Sequence, residues 1–228
     1  MKISGLQKLT LLDYPGKMAC TVFTYGCNFR CPFCHNAMLV TEENIDNISE
    51  DEFFTFLKKR QGILDGVCIS GGEPTLQKDL AEFIGKIKDM GYAVKLDTNG
   101  SKPEVLRKLI SENLLDYVAM DIKNSPAKYS LTCGCEIDIA LIKESVSIIK
   151  ESGIDHEFRT TTVRELHTAE DFAEIADWIK GDSKYFLQQF VDSGNLIGDN
   201  LSPFGKDELT LFAESIRGKS ANVTIRGV

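Results

Sequence analysis

Short, dense apolar runs alternate with longer stretches of mixed polarity along this 228-residue chain, and the alternation predicts strands that are each followed by a helix or a long loop. The first two runs, residues 3–12 and 17–24, are joined by Asp13-Tyr14-Pro15-Gly16, a strong turn signal. They read as a hairpin, or as an edge strand feeding a first core strand over residues 18–24. Ser49 is a plausible N-cap for a helix over residues 50–59, and strand 66–70 follows. A helix over 77–90 stops at Gly91 and hands over to strand 92–97; a helix opening with Pro103 leads to strand 115–121. Helix 138–151, strand 156–161, helix 169–180 with the single tryptophan Trp178, and strand 185–190 continue the pattern. A last helix over 206–217 ends at Gly218, before a short apolar run at 223–225.

Such an alternation predicts right-handed βαβ units and a mostly parallel sheet, either doubly wound or curled into a partial barrel. The polar motifs favour the barrel. A cysteine-rich loop, Gly71-Gly72-Glu73-Pro74, Asp97-Thr98-Asn99-Gly100, Asp121-Ile122-Lys123 and Arg159 each fall at the C-terminal end of a predicted strand. Five successive strand ends converging on one cleft suit a barrel mouth better than a single switch-point crevice. The expected fold is α/β, a partial (β/α)6 TIM-like barrel in a single domain. Residues 1–17 form an N-terminal hairpin or extension, 18–200 the barrel core, and 201–228 a C-terminal helix and strand.

Composition narrows the function classes. No run of eighteen or more apolar residues occurs and the N-terminus lacks an apolar signal region, so a soluble cytoplasmic protein without a membrane partner is expected. A formal charge of −8, from 26 Lys and Arg against 34 Asp and Glu, argues against a nucleic-acid surface. Seven cysteines, odd in number and unevenly placed, read as metal ligands plus buried thiols rather than a disulfide framework. Three of them, Cys27, Cys31 and Cys34, share one short loop at C-x3-C-x2-C spacing. A closed zinc site and a fully protein-held iron–sulfur cubane both want four ligands, so three thiolates leave one metal position open for a substrate.

Cys27-x3-Cys31-x2-Cys34 with aromatic Phe33, followed at the next strand end by Gly71-Gly72-Glu73-Pro74, resembles the hallmark pair of the radical S-adenosylmethionine enzymes. The resemblance implies a [4Fe-4S] cluster on the three cysteines, with S-adenosylmethionine on the open iron and reductive cleavage to a 5′-deoxyadenosyl radical. It makes Phe33, Gly71, Gly72, Glu73, Thr98, Asn99, Asp121, Lys123 and Arg159 candidate cofactor contacts. A backbone carbonyl at Gly71 or Gly72 would accept from the methionyl ammonium, and Glu73 would do the same or hold the turn. Thr98, Asn99, Asp121 and Lys123 would meet ribose or carboxylate, and Arg159 would pair the carboxylate. Asp97, Thr98 and Asp121 could bind a monovalent cation, as in some relatives.

Within that superfamily, Cys34-His35-Asn36, Asp97-Thr98-Asn99-Gly100 and Asp121-Ile122-Lys123 resemble the activases of glycyl radical enzymes. The stretches at residues 10–16 and 223–227 are similar to anaerobic ribonucleoside-triphosphate reductase activators of the longer type. The partners so implied are a glycyl radical enzyme, the anaerobic ribonucleotide reductase, and a flavodoxin- or ferredoxin-type electron donor. The rivals are a radical S-adenosylmethionine enzyme of small-molecule type, such as a deazapurine-forming one, and a non-catalytic zinc-binding module. Cys20 and Cys68 read as core thiols. Cys133-Gly134-Cys135 sits in an expected loop, where packing and a redox or metal role both remain open. His35 could cap the cluster loop or be structural, His156 and His167 read as hydrogen-bonded, and Gln188 and Gln189 could face the cleft.

Overall fold

The computed structural model describes residues 1–42, 47–181, 183–217 and 222–227. Eight strands form one sheet: β1 (Ile3–Thr10), β2 (Ala19–Thr24), β3 (Gly66–Gly71), β4 (Ala93–Thr98), β5 (Tyr117–Asp121), β6 (Asp155–Thr162), β7 (Lys184–Gln189) and β8 (Asn222–Arg226). Their order in the sheet is their order in the chain. Strand β1 pairs antiparallel with β2 across the Pro15-Gly16 turn, where Gly16 takes φ +72°, and every later pair is parallel. An order without reversal has no switch point, which settles the choice between the two architectures in favour of the partial barrel. Among the described residues β1 and β8 do not pair, so the barrel stays open.

The helices are α1 (Met38–Thr41), α2 (Glu50–Lys58), α3 (Leu80–Asp89), α4 (Pro103–Ser111), α5 (Tyr129–Cys133), α6 (Ile139–Glu151), α7 (Ala169–Trp178) and α8 (Lys206–Ile216). Ser49 caps α2 through a reciprocal bond with Glu52, and the Asp138 side chain caps α6. Two boundaries differ from expectation. Pro74–Leu76 forms a 3-10 turn that delays α3 until Leu80. Cys133 is no loop residue: Tyr129–Cys133 is helical, closed by Gly134 in the left-handed region at φ +65°. The expected stop at Gly218 lies outside the described residues.

Strand side chains alternate between two faces. On one face Val22, Ile69, Val94, Leu96, Val118, Met120, Phe158 and Leu187 are buried against Phe53, Phe83, Ile87, Leu106, Ile142, Phe172 and Leu209 of the helices, forming one continuous core. The other face is largely polar and lines the barrel interior, through Ser70, Lys95, Asp97, Asp121, Glu157, Arg159, Thr161 and Gln188. At the N-terminal ends of the parallel strands a small separate cluster of Tyr14, Ala19 and Tyr117 fills the barrel floor. The sheet thus presents its charged interior at the C-terminal strand ends, where the motifs sit.

Candidate active site

The cysteine loop leaves β2 through Gly26, held at φ +87° with its N–H donating to Leu39 O at 2.9 Å. Phe29 and Phe33 are buried anchors that fix the loop, and the Phe29 N–H points to Cys27 Sγ at 3.4 Å. All three thiols line one cavity of about 420 Å³, together with Phe29, Phe33, Asp97, Thr98, Asp121 and Arg159. That volume is in the range of a small-molecule site. Burial pushes the Cys27 thiol up to about 12 and raises Cys34 as well. Cys31 goes the other way, down to about 7, because the Cys133 thiol hydrogen-bonds to it and the Lys123 charge assists against burial. Cys133 is brought there by α5, whose terminal carbonyl accepts from Arg30 N–H at 2.8 Å.

The three thiols fit the group the sequence implies. Soft sulfur donors suit iron–sulfur ligation, and in a cubane each thiolate takes a separate iron. A single tetrahedral zinc would instead gather its thiolates at about 2.3 Å from one point. Among the described residues no three His, Cys, Asp or Glu side chains converge on one point in that way.

The glycines at the end of β3 serve the loop's own base. A Cβ on Gly72 would sit 2.0 Å from Gly26 O, and one on Gly71 would sit 2.3 Å from Thr24 N. The N–H groups of Gly72 and Glu73 donate to Thr24 O and Gly26 O. Glu73, expected to accept from the methionyl ammonium or to hold the turn, is fully buried and hydrogen-bonded within the protein. Its Oε1 accepts from Thr75 N and from the Thr75 and Thr98 hydroxyls, and its Oε2 accepts from Asn99 N at 2.6 Å. Burial raises its pKa despite these donors. One carboxylate thereby stitches the tips of β3 and β4 together, with the cysteine loop bonded to the same turn. Asn99 continues the web, donating to Asn28 Oδ1 at 3.0 Å and reaching Cys27 Sγ at 3.8 Å.

Below the mouth runs a row of alternating charges. Lys95 pairs with Asp97, Asp97 with Arg159 at 3.2 Å, Arg159 with Asp121 at 2.8 Å, and Asp121 with Lys123 at 2.9 Å. Burial alone would raise the two carboxyls, but the Arg159 guanidinium, with Lys95 or Lys123, holds Asp97 and Asp121 below the usual carboxylate range. Arg159, expected to pair the methionyl carboxylate, donates within its own chain through Nε to Asp121 and through Nη1 to Asp97. Asp97 and Asp121, implied as monovalent-cation ligands, are bridged by that guanidinium, while the third such residue, Thr98, donates its hydroxyl to Glu73.

Of the other candidates, His35 lines the cavity with its ring 6.2 Å from Phe190, and Gln188 lines it too. Gln189 instead donates to Phe204 O. His156 bonds Ser183, and buried His167 lies 2.9 Å from Lys123 O, so both are structural. Cys20 is a core thiol, but Cys68 faces the interior with Lys95 Nζ 3.8 Å from its sulfur. Sequence reasoning missed Asp13, Ser70, Lys95 and Thr161. Of these only Lys95 left a signal, a lysine in a buried apolar strand two positions before Asp97.

A sequence profile for the radical SAM superfamily matches residues 21–179, the stretch that carries the thiols, the glycine turn and the charge row. The chain belongs to the radical SAM superfamily. As a member it uses a [4Fe-4S] cluster and S-adenosylmethionine. A protein of Methanocaldococcus jannaschii named as a glycyl-radical enzyme activating enzyme is 39% identical over 82% of this chain and 79% of its own length. A protein of Pyrococcus horikoshii named as a GTP 3′,8-cyclase is 31% identical over 53% of this chain and 39% of its own length. Among solved structures, Streptococcus suis SuiB bound to precursor peptide SuiA superposes with a TM-score of 0.69 at 16% identity, covering 90% of this chain and 47% of that one. That likeness establishes the fold.

Proposed function

We propose that this chain is an activase that generates a glycyl radical on a partner enzyme, the anaerobic ribonucleoside-triphosphate reductase. It would draw its electron from a flavodoxin- or ferredoxin-type donor in the cytoplasm. The observation that carries this reading is the charge state of the cavity: Lys123 and Arg159, the lysine and arginine in its lining, are both already paired with carboxylates. A nucleoside triphosphate needs unpaired cations or a metal to hold its phosphates, and here it would meet the carboxylate of Asp13, which has no cationic partner among the described residues. A neutral protein segment meets no such conflict. No described helix is long and apolar enough to cross a membrane.

In this reading Cys27, Cys31 and Cys34 would hold the cluster, while Phe33, Gly71, Gly72, Thr98, Asn99, Asp121 and Lys123 would border the cofactor. Glu73 and Arg159 would position their neighbours. The cluster and S-adenosylmethionine supply the one-electron chemistry; the protein supplies orientation and exclusion of water. After anaerobic reconstitution we expect about four irons per chain, on the three-cysteine ligation of a cubane. Incubation with reductant, S-adenosylmethionine and the reductase should give an EPR doublet from a glycyl radical on the reductase, absent with Cys31→Ala. Failure with every glycyl radical protein of the same genome would overturn the reading, and turnover of GTP would replace it with the cyclase.

A further inference from the structure

The other walls of the cavity are hydrogen-bonded within the protein. Ser70 and Arg159 bond Asp97, Asn36 donates to Gly71 O, Asn99 bonds Asn28 and Ser101, and Asp13 accepts from Thr21. Thr161 and Gln188 differ. They face each other across β6 and β7 in direct register, both line the cavity, and neither side chain has a hydrogen-bond partner among the described residues. His35 shares that freedom but rests on Phe190. Thr161 and Gln188 are both half-buried on the cavity wall, so their polar groups are open to a ligand that enters it.

We propose that Thr161 and Gln188 form a neutral wall that binds the backbone amide of a partner's glycine-bearing segment, an inference that rests on the activase reading above. A carboxamide carries a donor and an acceptor in one plane, as a peptide group does, and a hydroxyl can take either role. The pair therefore matches a peptide's N–H and C=O, whereas to a phosphate it offers neutral donors only and no cation. Asp13, the cavity carboxylate without a cationic partner among the described residues, disfavours an anion further. A residue without Cβ lets the backbone come close enough to be read in this way.

The chain has five glutamines, so selective ¹⁵N labelling of glutamine gives a side-chain amide spectrum of five pairs, in which Gln188→Leu identifies the Gln188 pair by its loss. Titration of the cluster-loaded full chain with N-acetyl-Ala-Gly-Ala-amide should shift that pair, and GTP at equal concentration should leave it unmoved. Losing one neutral hydrogen bond is worth ~3- to 10-fold in affinity, so Thr161→Val should weaken the peptide by about that factor. Thermal melts of both variants, read by circular dichroism, are expected to match the wild type. No shift at millimolar peptide, a shift with GTP instead, or unchanged peptide affinity in Thr161→Val would overturn the proposal. The EPR doublet separates the two ideas. A full doublet in a folded Gln188→Leu variant removes the wall and leaves the activase. Peptide binding without a doublet on any partner leaves the wall and removes the activase.

Discussion

Both oxygens of Glu73 face donors that cannot turn away, because two of them are the backbone N–H groups of Thr75 and Asn99. Glu73→Gln keeps the shape but replaces one acceptor with an –NH2 pointed at an N–H. The unmade bond in a buried site should cost ~1–3 kcal/mol. Urea titration should show the midpoint falling with an unchanged slope; an unmoved midpoint would mean the web carries no stability. What was legible at this residue was its place in a glycine turn at a strand end. Which way its carboxylate points was not, since Thr98 and Asn99, more than twenty residues away, decide it. The glycines are similar. Their need for close backbone approach was readable, whereas the approaching partner, the base of the cysteine loop, appears only in three dimensions.

Strand β8 shows what holds an element that has a neighbour on one side only. Arg226 reaches inward from it to make two bonds of 2.9 Å to buried Glu157 on β6, and its guanidinium stacks 3.3 Å above the Phe186 ring on β7. Arg226→Met leaves the Glu157 carboxylate with the Tyr117 hydroxyl as its remaining side-chain donor among the described residues. Breaking a fully buried pair costs ~3–5 kcal/mol; with the Arg226 side chain 37% exposed, roughly 2–3 is expected. Hydrogen exchange should show the β8 amides losing protection ahead of β6, and uniform exchange across the sheet would contradict the latch. The short run at 223–225 was legible as a strand, but its membership of the barrel wall was not, because nothing local marks a pairing with Glu157, 69 positions away. Helix α5 escaped for a related reason: five residues are too few to show a period, so Cys133 looked like a loop residue.

At the scale of the molecule, the interior charge row sets how stability responds to acid. Asp97 and Asp121 have folded pKa values below the ordinary 3.8, so the unfolded chain binds protons more readily than the folded one. Their contribution is present in full above about pH 4–5 and is lost as the pH falls through and below 3.8. Calorimetry should find the melting temperature level near neutrality and dropping below about pH 4, and a flat profile down to pH 3 would show that the row carries no net stability. The core strands and the position of the motifs at their ends were legible because period and turn chemistry are local. The charge row was not, since Asp97 and Arg159 are 62 positions apart and meet only once strand register is known. The stitching at the mouth is also uneven. Glu73, Gly72 and Asn99 tie the tips of β2, β3 and β4 to one another, whereas Gln188 on β7 stands outside that web. Gln188 can thus be exchanged without cutting any of the bonds that hold the mouth together.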